Sequence, residues 1–197
     1  MKFKMRKFNY LLIIALIAIV FFNCKKEDAE VETIIKKDTV YISVHDTIIT
    51  QIPADSGTVI FLVRHAETDG GGSNPHLSAI GLDRADQLLH VLRNNPIEAV
   101  FSTSFFRTSE TAAPLASEFG LNVITYDASK LKDLSITLSE DYIGKRILVV
   151  GHSNTTPELI NFLTNTNDYK QINDTVYDNL FIVNKNSAES LVTHLKY

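Results

Sequence analysis

The chain has 197 residues, a formal net charge of −4 and one cysteine. This length accommodates one globular domain with additional segments, and a lone cysteine excludes an internal disulfide framework. The acidic balance argues against a nucleic-acid partner, because binding to a phosphate backbone requires a cationic surface.

The N-terminus has the pattern of a secretory signal. The first ten residues contain four basic and no acidic side chains, and an unbroken apolar run follows from Leu11 to Phe22. A basic segment before a short apolar one is typical of a signal peptide, whereas a transmembrane helix needs about 20 apolar residues. We therefore predict a signal peptide over residues 1–23, with an uncleaved anchor as the alternative.

Cys24 follows the apolar run directly and resembles the acylated cysteine of a bacterial lipoprotein, although Asn23 replaces the usual small residue. Several acyl chains would hold the protein on a membrane, since one chain binds only marginally. We expect an exported, lipid-anchored protein of the cell envelope, facing the periplasm or on the surface of the outer membrane. Without the signal, 15 basic and 23 acidic residues remain, which argues against electrostatic attachment to anionic lipid.

Residues 24–57 are predicted to be a tether. The segment from Asp38 to His45 alternates and is rich in residues that favour strands, so it is either a strand or hairpin or an extended stalk. Turn-forming residues between Pro53 and Gly57 mark its end. We place the folded domain at residues 58–197.

Strands alternate with helices from Thr58 onward. Apolar runs rich in β-forming residues predict strands at 59–63, 97–101, 121–125, 146–150, 180–183 and 191–195. Amphipathic patterns predict helices at 78–93, 107–119, 129–141 and 156–163. The first helix is expected to bury one stripe, formed by Leu82, Ala85, Leu88, Leu89 and Leu92. This alternation predicts an α/β fold: a single three-layer domain with a mostly parallel sheet flanked by helices.

Four side chains follow three of these strands. Arg64 and His65 come after the first strand, Arg107 after the second, and His152 after the fourth. Ligands of open α/β sheets bind beyond the carboxyl ends of the strands, so we expect the four side chains to meet there. Guanidinium groups bind phosphate oxygens through paired donors, and imidazoles act as nucleophiles or proton partners near neutral pH.

Three motifs carry a resemblance to a known family: Phe61–Thr68, Ser102–Ala112 and Val149–Asn154. In this order and structural context the sequence resembles the histidine phosphatase superfamily, also called phosphoglycerate mutase-like, and especially its short members. The resemblance extends from residue 58 to about residue 195. Alanine stands at position 66, where the family usually has glycine.

The resemblance implies a role for each residue of the constellation. His65 would attack phosphorus and become phosphohistidine, while Arg64, Arg107 and His152 would bind the non-bridging oxygens. No metal or other cofactor is implied, because the arginines supply the positive charge. Glu67 is expected to orient its neighbours.

In members of the family the proton donor is a carboxylate from a variable region, so the resemblance implies one here, and two candidates are open. Asp127 lies just past the third strand, and its alternative role is to cap the helix that follows. Glu158 is the second candidate, with stabilisation of the first turn of its helix as the alternative. His76 lies on a glycine-rich loop that could line the mouth of the pocket, whereas His90 is expected to be exposed on the first helix.

These features predict a metal-independent phosphomonoester hydrolase that acts on a phosphorylated small molecule or a phosphoprotein. The segments between the motifs are short, which favours an open pocket and a hydrolase over a mutase. The alternative is a module of weak catalytic power that binds phosphate or phosphoesters. A purely structural envelope protein is a third possibility, but it would not need two arginines and two histidines at one sheet edge.

Overall fold

A computed structural model describes residues 31–36, 39–44, 47–49, 57–186 and 190–197. The chain divides into two compact units, Met1–Ile52 and Pro53–Tyr197. The predicted signal peptide and Cys24 lie outside the described residues. No helix in the described part of the chain is long and apolar enough to cross a membrane.

The first unit contains a small antiparallel sheet. Its strands are β1 (Val31–Lys36), β2 (Thr39–Val44) and β3 (Thr47–Ile49), in the spatial order β1-β2-β3. Val31 pairs with Val44 at the open end of the first hairpin. Of the two alternatives for this part of the predicted tether, the structure has the strands rather than an extended stalk.

The second unit consists of six strands and four helices. The helices are α1 (Ala79–Leu92), α2 (Phe106–Glu118), α3 (Leu131–Glu140) and α4 (Thr155–Thr164). The strands are β4 (Thr58–Arg64), β5 (Ala99–Ser102), β6 (Val123–Thr125), β7 (Arg146–Gly151), β8 (Asn179–Lys185) and β9 (Ser190–Lys196). They form one sheet in the order β6-β5-β7-β4-β8-β9.

The sheet is parallel in its first four strands and antiparallel in its last two. β5 pairs in parallel with β6 and with β7, and β7 pairs in parallel with β4. β8 runs antiparallel to β4, and β9 runs antiparallel to β8. The predicted α/β class and mostly parallel sheet are therefore confirmed.

Two hydrophobic layers cover the two faces of the sheet. Every residue of β4 is buried, as its continuous apolar run predicts. Ile60 and Leu62 belong to the cluster that contains the buried residues of α3 and α4. Val59 and Phe61 belong to the cluster that contains those of α1 and α2. This alternation confirms the three-layer architecture, with two helices on each face.

Helix α1 buries most of the expected stripe, but the stripe begins at Gly81 and not at Leu82. Ser78 caps it by accepting a hydrogen bond from the Gly81 amide at 3.1 Å. The buried positions are Gly81, Ala85, Leu88 and Leu92, whereas Leu82 is 53% exposed. The stripe begins at Gly81 because the helix backbone lies against the carbonyl of Glu67, where a Cβ atom would come within 2.0 Å of the oxygen. The expectation that Leu82 is buried was wrong for this reason.

Replacing Gly81 with alanine tests this close approach. Alanine is the better helix former by about 1 kcal/mol, so propensity alone predicts stabilisation. The contact with the Glu67 carbonyl predicts the opposite, and we expect Gly81→Ala to lower the free energy of unfolding by about 1–3 kcal/mol in urea denaturation. The matched control is Ile80→Ala, at a 65% exposed position, which should change it by less than about 0.5 kcal/mol. A stabilised Gly81→Ala variant would contradict the packing.

Candidate active site

The site lies at the carboxyl ends of β4, β5 and β7. β4 and β7 pair so that Arg64 is opposite Gly151, and the His65 amide continues the ladder by donating to the Gly151 carbonyl at 2.9 Å. Ser102, the last residue of β5, is opposite Val150. Because all three strands run parallel, the residues that follow them meet at one edge of the sheet, as expected.

His65 lies immediately after β4 and is 7% exposed. Its Nδ1 is 2.8 Å from the carbonyl oxygen of Ala66. A carbonyl can only accept, so Nδ1 carries the proton and donates it. In a neutral ring this leaves the lone pair on Nε2. The ring of His152 lies edge-on to His65, with the centroids 5.4 Å apart.

Arg64 is 6% exposed, and its guanidinium group is held by the segment between α4 and β8. Nη1 donates to the carbonyl oxygens of Asn173, Asp174 and Val176 at 2.9 to 3.1 Å. The ring of Tyr177 lies against the same group, with its centroid 4.1 Å from Cζ. Nε is buried without a hydrogen-bond partner in the described part of the chain. A buried guanidinium with an unused donor is suited to binding an anion.

Arg107 enters the site from the second residue of α2. Its Cζ lies 4.3 Å from the centroid of the Phe105 ring, which supports the guanidinium from one side. The first turn of α2 contains no acidic residue. A cation at a helix N-terminus is unfavourable unless an anion is close by, so the placement of Arg107 also indicates an anion site.

His152 follows β7, and its ring is held by hydroxyl groups of the segment between β5 and α2. Nε2 is 3.0 Å from Oγ1 of Thr103, which is itself 2.8 Å from Oγ1 of Thr108. The backbone amide of His152 donates to Oγ1 of Thr155 at 3.0 Å. The ring of Phe105 packs edge-on against His152 with the centroids 5.4 Å apart. These contacts fix the ring beside His65.

Burial keeps both histidines neutral at neutral pH. It lowers the pKa of His65 to about 4, and the charges of Arg64 and Arg107 add to this effect against the hydrogen bond to Ala66. It also lowers the pKa of His152 to about 4, again with help from both arginines. The site therefore combines two guanidinium cations with an unprotonated imidazole, the form that phosphoryl transfer to nitrogen would require.

Ala66 fits the position where glycine was expected. Among the described residues other than glycine, only Asn165 has a positive φ, so the alanine is unstrained. Its amide donates to Oγ1 of Thr111 at 2.9 Å, which links the segment after His65 to α2.

Glu67 is engaged by Arg84 of α1. The Arg84 guanidinium donates to both carboxylate oxygens, at 2.6 to 2.9 Å. Burial alone would raise the pKa of Glu67, but the hydrogen bonds from Arg84 outweigh it and lower the pKa. Glu67 thus orients neighbouring elements, which agrees with its expected role.

Asp127 lies in a turn between β6 and α3, and its carboxylate is fully exposed. Oδ1 accepts from the amide and the hydroxyl of Ser129, at 2.9 and 2.7 Å. These hydrogen bonds lower the pKa of Asp127, which opposes a role as proton donor. They favour the capping alternative in a modified form, because α3 begins only at Leu131 and Asp127 closes the turn before it.

Glu158 is exposed in the first turn of α4, where its carboxylate interacts favourably with the helix dipole. Within the described residues there is also no group of three or more histidine, cysteine, aspartate or glutamate side chains that could hold a metal ion. The catalytic roles of Asp127 and Glu158 remain predictions.

The structure adds two groups to the site that were not predicted from the sequence. Thr103 holds His152 and is 2% exposed. Tyr177 contacts Arg64 and lies 6.1 Å, centroid to centroid, from the ring of His65. Thr103 had a signal, because it is inside the motif that contains Arg107. Tyr177 had none, because it belongs to an irregular segment between α4 and β8.

The fold and the constellation together define an α/β domain with a candidate phosphoryl-transfer site at the carboxyl edge of its sheet. The family model of the histidine phosphatase superfamily (branch 1) matches residues 60–136. The match includes the segments with His65 and Arg107, while His152 lies beyond it. Together with the fold, it confirms the predicted resemblance to the histidine phosphatase superfamily. No curated protein sequence matches the chain.

Several solved structures share this fold. The protein histidine phosphatase SixA, in a complex with tungstate, is 15% identical and has a TM-score of 0.59 over 70% of this chain and 96% of its own. A putative α-ribazole-5′-P phosphatase from Escherichia coli K-12 is 16% identical, with a TM-score of 0.60 over 71% and 96%. Phosphoserine phosphatase from Entamoeba histolytica, in a complex with 3-phosphoglyceric acid, is 14% identical, with a TM-score of 0.57 over 71% and 97%. At these identities the likeness establishes the fold.

The low pKa of His65 predicts a pH dependence of stability. The folded state binds no proton at His65 until about pH 4, whereas the unfolded chain binds one near pH 6.5. Stability is therefore lost as pH falls from about 6.5 to 4, by up to roughly 3 kcal/mol for this shift. We expect His65→Asn to reduce that loss, measured by denaturation in buffers without phosphate. The control His90→Asn, on the last turn of α1, should retain it, and an equal loss in both variants would contradict the prediction.

Proposed function

We propose that this protein is a phosphatase that hydrolyses phosphomonoesters through a phosphohistidine intermediate on His65. The observation that carries the proposal is the state of His65: a buried, unprotonated ring with Nδ1–H held by the Ala66 carbonyl, next to two guanidinium groups. The family match and the phosphatases that share the fold favour the same activity.

The reaction has two steps. Nε2 of His65 attacks phosphorus and the ester oxygen departs, so that the phosphoryl group is bound to the ring. Water then attacks the phosphohistidine and releases phosphate and the free imidazole. Arg64 and Arg107 bind the equatorial oxygens in both steps, and catalysis rests on this positioning and charge compensation.

The two guanidinium groups supply the positive charge that a divalent cation provides in other phosphoryl-transfer enzymes. Arg64 is fixed by three carbonyls and the ring of Tyr177. It is therefore organised before the substrate arrives and costs little reorganisation during the reaction. On this basis we propose that the activity is independent of metal ions.

The proposed substrate is a phosphorylated small molecule or a phosphorylated side chain of a protein. Both kinds are represented in the names of phosphatases that share the fold, which include a protein histidine phosphatase and an α-ribazole phosphatase. The short segments between the site motifs favour an open pocket that admits either kind.

We also propose that the protein acts in the cell envelope, attached through acyl chains on Cys24. The support is the order of a basic segment, an apolar run and a lone cysteine at its end. Two or more acyl chains are needed for stable attachment to a membrane. The active domain would then face the periplasm or the cell exterior.

Hydrolysis of p-nitrophenyl phosphate by the full chain tests the activity. We expect turnover that persists in EDTA and falls by more than about 10³-fold in His65→Ala, because the nucleophile is lost. His90→Ala, which alters an exposed histidine of α1, is the matched control and should be as active as the wild type. Equal turnover in the two variants would show that His65 is not the nucleophile.

The same preparation distinguishes an enzyme from a module that only binds phosphate. Both should gain thermal stability from orthovanadate, since each would bind an oxyanion between Arg64 and Arg107. Stabilisation without turnover of any phosphomonoester would favour the binding module. A protein that is not stabilised by orthovanadate and shows no turnover would contradict both the enzyme and the binding module.

Metabolic labelling with a palmitate analogue in a Gram-negative host tests the anchor. We expect label on the wild-type protein and none on Cys24→Ser, because the chain offers no other thiol. The labelled protein should fractionate with membranes and the variant should not. Label that persists in Cys24→Ser would contradict attachment at this residue.

A further inference from the structure

In the proposed reaction, protonation of the leaving group requires a positioned acid. His65 and His152 are both neutral at neutral pH because burial lowers their pKa values to about 4. Glu67 is bound by Arg84, and Asp127 by Ser129. An alcohol departs slowly as an alkoxide, and a positioned acid accelerates such steps by about 10²–10⁴-fold.

His76 has the geometry of such an acid. Its Nδ1 is hydrogen-bonded to Oε1 of Glu110, and the other oxygen, Oε2, accepts from the amide of Leu77 at 2.8 Å. The carboxylate therefore has a fixed position and orients the imidazole through Nδ1. Nε2 is the ring nitrogen that does not contact Glu110. The side chain of His76 is 59% exposed and is therefore accessible from solvent. A histidine oriented by a carboxylate is the usual arrangement for proton transfer near neutral pH.

The His76–Glu110 pair is attached to the helix that carries Arg107. Glu110 lies three residues after Arg107 on α2, and residues at this spacing are neighbours on a helix surface. The ring of His76 stacks on Phe106, with 4.3 Å between centroids and 12° between planes. Asn74, from the same loop as His76, accepts a hydrogen bond from the Phe106 amide at 2.9 Å.

The pair is also attached to the segment that follows His65. Thr68 forms an antiparallel bridge with Leu77, and the amide of Asp69 donates to the carbonyl of His76 at 3.1 Å. His76 is thus joined through short backbone contacts to the nucleophile segment and through its side chain to the Arg107 helix. Both segments line the carboxyl edge of the sheet.

We propose that His76, oriented by Glu110, is the proton donor to the leaving-group oxygen, an assignment that rests on the phosphatase function proposed above. In the first step, Nε2 of His65 forms the bond to phosphorus, the P–O bond breaks, and its electron pair takes the proton from Nε2 of protonated His76. In the second step, neutral His76 accepts a proton from the attacking water. Glu110 is a positioning residue, since it acts only through His76.

The dependence of the rate on the leaving group tests this assignment. p-Nitrophenolate departs without protonation, whereas the alkoxide of benzyl phosphate requires an acid. We expect His76→Gln to lower kcat/KM for benzyl phosphate by about 10²-fold or more and to change it less than tenfold for p-nitrophenyl phosphate. Glu110→Gln keeps an acceptor for the Leu77 amide but removes the charge, and it should show the same selective loss to a smaller degree.

The matched control is His90→Gln, an exposed histidine on α1 that should leave both rates unchanged. Equal losses on the two substrates, or no loss on either, would overturn the assignment of His76 while leaving the phosphatase function intact. A wild type that hydrolyses p-nitrophenyl phosphate but not benzyl phosphate would also overturn it. Absence of turnover on both by the wild type would overturn the proposed function as well. If His76→Gln is unstable in thermal melting, Glu110→Gln makes the same comparison.

Discussion

The burial of one guanidinium group at the edge of the sheet organises the whole site. Removing an ion from water costs several kcal/mol unless its donors are satisfied. For Arg64 most of this cost is offset by three backbone carbonyls and the face of Tyr177. Nε is buried without a hydrogen-bond partner among the described residues, and Nη2 is 3.9 Å from the exposed carboxylate of Asp174. One side of the guanidinium group is therefore held in position, while the other side has a donor available. This arrangement is preorganised to bind an oxyanion.

The fold was predictable because its strongest signals are local patterns of apolar residues. β4 and β7 are continuous apolar runs, and strands buried on both faces have this pattern. The first position of the buried stripe of α1 was not predictable, since it depends on a contact between the helix backbone and the Glu67 carbonyl. The spacing of the leucines predicted that Leu82 lies in the core. In the structure Gly81, one position earlier, faces the core and lies against the Glu67 carbonyl.

The constellation was predictable for a topological reason. Parallel strands have their carboxyl ends at one edge, so residues as distant as His65 and His152 become neighbours once the strand order is known. Groups that act through the backbone left no such signal. The carbonyls that bind Arg64 belong to an irregular segment, and any sequence there supplies carbonyls. The interaction of Asp127 with Ser129 is also a matter of turn geometry, which the sequence allowed but did not require.

The burial and positive charge that would suit this site to the proposed reaction also have an electrostatic cost. Burial beside two cations keeps His65 and His152 unprotonated at neutral pH, which is the form that the proposed nucleophilic role of His65 requires. Burial also lowers the pKa of Arg107, and the charge of the neighbouring Arg64 lowers it further by repulsion. An anion bound between them would relieve that repulsion, and a transition state with more charge on its oxygens would relieve it further. In the proposed reaction this relief would stabilise the transition state preferentially.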